Sequence, residues 1–189
     1  MPSAQGEATS ARIRRAAMHL IGQQGFAAMS MRQLAVRVGV QAGSLYRYFP
    51  SKHCLLFELL CEQYHDLLTA WQHAQPVGSS VEHTLGAFVE HHLTWHEERH
   101  RQGALLDPLE VRSLAGRDRA MVLQLARRYH EQLQRLIESG VRQGCFRCTD
   151  VALVGDAILT MLQGACRDGT EYLAIRRADY RLLTLKLLS

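Results

Sequence analysis

An all-α fold is what this 189-residue chain predicts, and three observations predict it. It holds only four prolines, its apolar residues recur at helical rather than alternating spacing, and no strand run stands out. The length allows one domain, or a small one joined to a larger. With 47% hydrophobic and 21% charged residues and a mean hydropathy of -0.14, collagen-like and disordered classes are excluded. No stretch approaches the ~18 uninterrupted apolar residues of a membrane helix. The first residues lack the basic-then-apolar pattern of a secretory signal, so a cytoplasmic location and no membrane partner are expected. Five cysteines, an odd number without framework spacing, read as reduced.

Residues 1–8 are small and polar and are expected as a disordered arm. Thr9 or Ser10 can cap a first helix running to about Gln24, with Ile13, Ala16, Ala17, Leu20 and Ile21 on one stripe. Gly25 ends it, and Phe26 packs back on the core. Ser30 to Gln33 has the S-x-x-Q form of a capping box, which starts a second helix at Met31 that buries Met31, Leu34, Ala35 and Val38. Gly39 breaks it after two turns. From Gln41 a third short helix runs to about Phe49, with Leu45 and Phe49 inward, and the glycine between the two makes a helix-turn-helix. Ser51 then caps a fourth helix from Lys52 to about His73, burying Leu55, Leu56, Leu59, Leu60 and Tyr64.

The outer side of the third helix is too polar and aromatic to be packing. Gln41, Ser44, Arg47 and Tyr48 offer donors and acceptors for base edges in a major groove, whereas Tyr46 and Lys52 suit phosphate oxygens. Charge agrees with this. Residues 1–52 hold seven basic residues against Glu7 alone, and the remaining fifteen basic and seventeen acidic residues leave the rest slightly negative.

Those residues, T-x-x-x-I-x-x-A-A from Thr9 and then the run from Gly25-Phe26 through Leu34-Ala35, Gly39-Val40, Gly43, Leu45-Tyr46 and Phe49-Pro50 to Ser51-Lys52, resemble the DNA-binding domain of the TetR family of transcriptional regulators. The resemblance covers about a quarter of the chain. It implies about nine helices: a helix-turn-helix DNA-binding domain at 9–52, with its motif at about 30–49, then a ligand-binding and dimerisation domain at 53–189. It implies a homodimer on palindromic double-stranded operator DNA, usually a repressor released by a small molecule. On the matched positions, Arg32 contacts DNA, Gln41, Ala42, Gly43 and Ser44 open the recognition helix, Tyr46 and Tyr48 meet phosphate or base, and Lys52 binds phosphate. Gln41 stands where the family often has Ser or Thr, and glutamine caps poorly. Gly43 leaves room for close approach to the DNA backbone or to the second helix.

Further helices are expected at about 80–98, 103–114, 117–143, 150–171 and 178–188. The segment 150–171 is apolar nearly all round and the last is leucine-rich, so a second copy is the expected cover. The interface residues named on this ground are Leu153, Ala157, Ile158, Met161, Leu162, Ala165, Leu183 and Leu187. A small, mainly apolar effector is expected near Trp95, Leu106, Arg112, Tyr129 and Met161.

No phosphate loop, H-E-x-x-H or G-x-S-x-G motif appears, so no enzyme and no cofactor are predicted. His92, His96 and His100 recur every four residues, and a metal-responsive regulator or metal enzyme on that face is the alternative. The favoured reading is a polar exposed or pocket-lining face with no metal. Cys145 and Cys148 form a lone C-x-x-C without the second pair a zinc ribbon needs.

Overall fold

The computed structural model describes residues 4–167 and 170–189. Among them are eight α-helices, one 3-10 helix and no strand. The α-helices are α1 (Ala4–Ala28), α2 (Met31–Val38), α3 (Ala42–Tyr48), α4 (Lys52–Ala74), α5 (Val81–Arg101), α6 (Gly116–Arg142), α7 (Val151–Arg167) and α8 (Thr170–Lys186). The chain divides into two compact units, residues up to 65 with 102–125, and residues 66–101 with 126–189. By packing, then, the division does not fall after residue 52, where the sequence reading places it. No helix among the described residues is long and apolar enough to cross a membrane.

The first unit forms around the residues whose periodicity marks them. Ile13, Ala17, Leu20 and Ile21 from α1, the inward face of α2, Leu45 and Phe49 at α3, and Leu55, Leu56, Leu59 and Leu60 of α4 are all buried. Leu106, Leu114 and Val122 complete that core. Two expectations are corrected here. Residues 4–8 are helical, not a disordered arm: α1 begins at Ala4, with the acidic Glu7 in its first turn, where the helix dipole favours it. The helix expected over 103–114 is only a 3-10 turn, Pro108–Ser113, capped by the Asp107 side chain on the Leu109 amide at 2.7 Å. Pro108 holds Asp107 extended (φ -62, ψ 131), and an α-helix cannot pass through that residue.

The second unit packs Leu67 and Trp71 of α4, Val81, Leu85, Phe88, Val89 and Leu93 of α5, Tyr129, Leu133 and Ile137 of α6, and Ile158, Leu159 and Leu162 of α7. Gly140 lets the chain fold back after α6, because a Cβ there would collide with the buried Phe146 ring. Three of the eight expected interface residues are corrected by this packing. Ile158, Leu162 and Ala165 face their own core and are buried, whereas Leu153 (67% exposed), Ala157, Leu183 and Leu187 face outward together with Leu182, and Met161 is half-buried. A helix of this length satisfies one side from within its own chain, and only the other side remains to be covered. The expected boundaries 150–171 and 178–188 are likewise replaced by those of α7 and α8; residues 168 and 169 of the former lie outside the described residues.

Candidate nucleic-acid interface

Helix α2 begins and ends on signals of its own sequence. Ser30 Oγ accepts from the Gln33 amide at 3.2 Å, and the Gln33 side chain accepts from the Ser30 amide at 2.9 Å, a complete capping box. Gly39 closes the helix in the left-handed region (φ 75, ψ 35), where its own amide donates to the Val36 carbonyl at 3.1 Å. Arg12 Nη2 then donates to the Val38 carbonyl at 2.8 Å, so a cation of α1 sits on the negative end of α2. These contacts fix the turn that aims α3.

Helix α3 buries Leu45 and anchors at Phe49, and the rest of it faces solvent. Gln41, Ala42, Gly43, Tyr46, Arg47 and Tyr48 are exposed and Ser44 is half-buried. Tyr46 is 49% and Tyr48 37% exposed, large for aromatic rings, and neither packs into the core. A Cβ on Gly43 would meet nothing within 4 Å, so close packing on α2 is not what a glycine provides there; only an approach from outside remains. Gln41 sits at the N-cap with no side-chain cap hydrogen bond. Replacing it by serine supplies that acceptor, and Gln41→Ser is expected to raise stability by about 1 kcal/mol in denaturant titration.

A groove of about 560 Å³ runs beside α3, lined by Gly6, Glu7, Ser10, Arg14, Ser44, Arg47 and Tyr48. The start of α1, read from sequence as an arm, therefore forms one wall of it. The signal that could have shown this was Ala4, Gln5, Glu7 and Ala8, good helix formers interrupted by Gly6 and overshadowed by the capping preference of Thr9 and Ser10.

The seven cations of residues 1–52 are not equivalent in the structure. Arg12 is bound to Val38; Arg14 pairs with Glu58 at 2.8 Å and lies 5.7 Å from the Phe49 ring centroid. Lys52 has partners of its own. Its Nζ donates to the carbonyls of Phe26, Ala27 and Met29 at 3.3 to 3.4 Å and stands 4.6 Å over the Phe26 ring. In this arrangement it ties the end of α1, past its kink at Gly25, to the start of α4. Lys52→Met is thus expected to lower stability by about 1 kcal/mol while leaving the salt dependence of DNA binding unaltered. A slope reduced by about one would return Lys52 to the phosphates. Arg32, Arg37 and Arg47 are exposed, and no ion pair to them is found among the described residues.

The expected effector residues do not share a unit. Leu106 lies in the first unit, fully buried, its amide and carbonyl both bonded to the Gln63 side chain at 2.8 and 3.0 Å, and Arg112 is exposed on the 3-10 turn. Trp95, Tyr129 and Met161 belong to the second unit. Tyr129 is core, stacked on Phe88 at 5.2 Å, while Trp95 and Met161 are half-buried.

The histidine face also differs from its expectation. His92 and His96 are buried rather than exposed, their ring centroids 4.1 Å apart, and of the three only His100 is exposed. His92 Nδ1 lies 3.2 Å from the Tyr129 hydroxyl, and His96 Nδ1 2.8 Å from the His92 carbonyl oxygen. Burial pushes the His96 imidazole down to about 4 and His92 well below its ordinary value, so both rings are neutral at physiological pH. All five cysteines are free.

A capped two-helix turn presenting an exposed polar and aromatic helix on a basic unit defines a helix-turn-helix regulator. Residues 13–59 match the domain described as bacterial regulatory proteins, tetR family, and residues 78–167 match the tetracyclin repressor-like C-terminal domain. The TetR family transcriptional regulator PfmR from Thermus thermophilus is 32% identical, with TM-score 0.79 over 93% of this chain and 97% of that one. A bacterial regulatory protein in the tetR family from Rhodococcus RHA1 gives TM-score 0.87 at 26% identity, covering 96% and 97% of the two chains. The HTH-type transcriptional repressor KstR2 of Rhodococcus jostii (strain RHA1) is 29% identical over 129 residues, 68% of this chain; the matched part spans 63% of that relative's length. The chain belongs to the TetR family of transcriptional regulators.

Proposed function

We propose that this regulator is a repressor that binds a palindromic operator as a homodimer through α3 and is released by a small, mainly apolar effector. The observation that carries the reading is the outward face of α3: Gln41, Ser44, Tyr46, Arg47 and Tyr48 around a glycine with open space above it, flanked by the exposed Arg32 and Arg37. Gln41, Ser44 and Arg47 supply base-edge donors and acceptors, and Tyr46 a hydroxyl for phosphate. The exposed leucines of α7, α8 and the turn after it, Leu153, Leu182, Leu183 and Leu187, support pairing with a second copy, because four large apolar side chains otherwise remain in water. Two recognition helices on one rigid dimer turn weak half-site contacts into useful affinity. Release requires the effector to bind better to the arrangement that fits DNA poorly. Trp95 and Met161, half-buried in the second unit, are the side chains assigned to it.

Selection of bound fragments from genomic DNA by the purified protein tests this directly. A recurrent inverted repeat, with binding that weakens steeply as salt rises, is the expected result. Enrichment of no sequence, with and without added apolar metabolites, overturns it.

A further inference from the structure

We infer that His92, His96 and Cys166 form a binding site for a divalent metal ion of the zinc type inside the second unit. One ligand atom from each of the three residues lies within 4.8 Å of the other two, and all three residues are buried. The two histidines stand four residues apart on α5, the spacing that places two imidazoles on one helix face, and Cys166 comes from the last turn of α7. His92 Nε2 is buried without a hydrogen-bond partner among the described residues, an orphan that folded proteins rarely leave standing.

The surroundings prepare the two imidazoles for a metal, whereas the thiol gives up its proton only on binding. The contact of His96 Nδ1 with the His92 carbonyl requires the proton on Nδ1, which leaves the Nε2 lone pair free. The Tyr129 hydroxyl holds the His92 ring by Nδ1, and in the tautomer where Nδ1 donates to the phenol oxygen the Nε2 lone pair is likewise free. Both imidazoles are unprotonated at neutral pH, which is their ligating form. Cys166 is held as a thiol by burial, pushed up to about 12, with Glu97 adding to the rise and Arg177 opposing it. His91, His130 and Tyr129 are the other titratable groups that face this cluster.

Binding then breaks the Cys166 S–H bond and forms a sulfur–metal bond. One proton leaves to solvent per ion, and the histidines contribute lone pairs only. Two imidazoles and one thiolate select a borderline-soft ion over magnesium or calcium and leave a fourth position for water. The site stands independently of the operator reading. His100, the third member of the sequence pattern, takes no part, being exposed.

The test is a titration of the purified full-length chain with cobalt(II), in a Cys145→Ser, Cys148→Ser background that removes the exposed C-x-x-C. One equivalent per chain, a near-ultraviolet sulfur-to-cobalt absorption, one proton released per ion and displacement by zinc(II) are expected. Adding Cys166→Ser abolishes the absorption, and His96→Asn weakens binding at least ~10-fold, as loss of a ligand does. Zinc-edge X-ray absorption on the zinc-loaded background protein needs no variant at the site. One sulfur at about 2.3 Å with two nitrogens at about 2.0 Å is the expected shell. No sulfur absorption with cobalt, an absorption that survives Cys166→Ser, or a shell without sulfur overturns the site.

Discussion

The Arg32→Ala, Arg47→Ala double variant is expected to bind its selected operator fragment about 100-fold more weakly than the parent. Each guanidinium to DNA is worth about 1 to 3 kcal/mol, and every 1.4 kcal/mol is tenfold, so about 1.4 kcal/mol at each of the two sites gives that loss. Thermal stability is expected to change by no more than about 0.5 kcal/mol, because both side chains are exposed and neither carries an ion pair among the described residues. Gel shift across a salt series separates the parts. The slope of log affinity against log salt flattens when a phosphate contact is lost, whereas a base contact alters preference among fragments and leaves the slope unchanged. The matching changes at Arg12 and Arg14 are expected to act through stability, since one closes α2 and the other pairs with Glu58. Unaltered DNA affinity in the double variant would remove α2 and α3 from the interface.

The second large effect is acid sensitivity of the second unit. His96 is held at about 4 in the fold against 6.5 for a free histidine, and burial lowers His92 well below its ordinary value too. Above 6.5 both states of the chain are neutral at these rings and no stability depends on them. As pH falls from about 6.5 to 4 the unfolded chain takes up protons that the folded chain refuses, so stability drops through that window. The shift at His96 alone corresponds to about 3 kcal/mol, and His92 adds to it. Chemical denaturation in metal-free buffer at pH 7 and pH 4 measures the loss. His96→Gln keeps a polar group of similar reach without the titration, and its stability is expected to fall less over the same interval. Parallel profiles for variant and parent would show that the acid loss comes from the carboxylate pairs instead.

How much of this was legible beforehand follows from the range of each signal. Ser30 with Gln33, Gly39 and the pair Leu45 and Phe49 announced the helix-turn-helix because a cap and a helical stripe are written within a few residues of each other. The failure of Gln41 to cap was legible for the same reason. The cations were not. Nothing local distinguishes Lys52, bound to three carbonyls from before α2, from Arg47, which stands in solvent, and sequence reading treated both as DNA ligands. The burial of the histidines was not legible either: a four-residue recurrence of polar side chains fits an exposed face as well as a lining one, and His92 and His96 are covered while His100 is exposed.

The apolar helices draw the line most clearly. Sequence by itself determined that α7 is helical, apolar on several sides and in need of cover, because hydrophobic periodicity depends on nothing outside the segment. It could not determine which side its own core would take. That choice, which buries Ile158 and Leu162 and leaves Leu153 and Ala157 outside, was made only when α5, α6 and α7 packed together, as was the meeting of Cys166 with the two histidines. The physical reason is one of distance: caps, stripes and turns are settled by neighbours along the chain, whereas burial, charge pairing and donor clusters depend on which distant surfaces exclude water from one another.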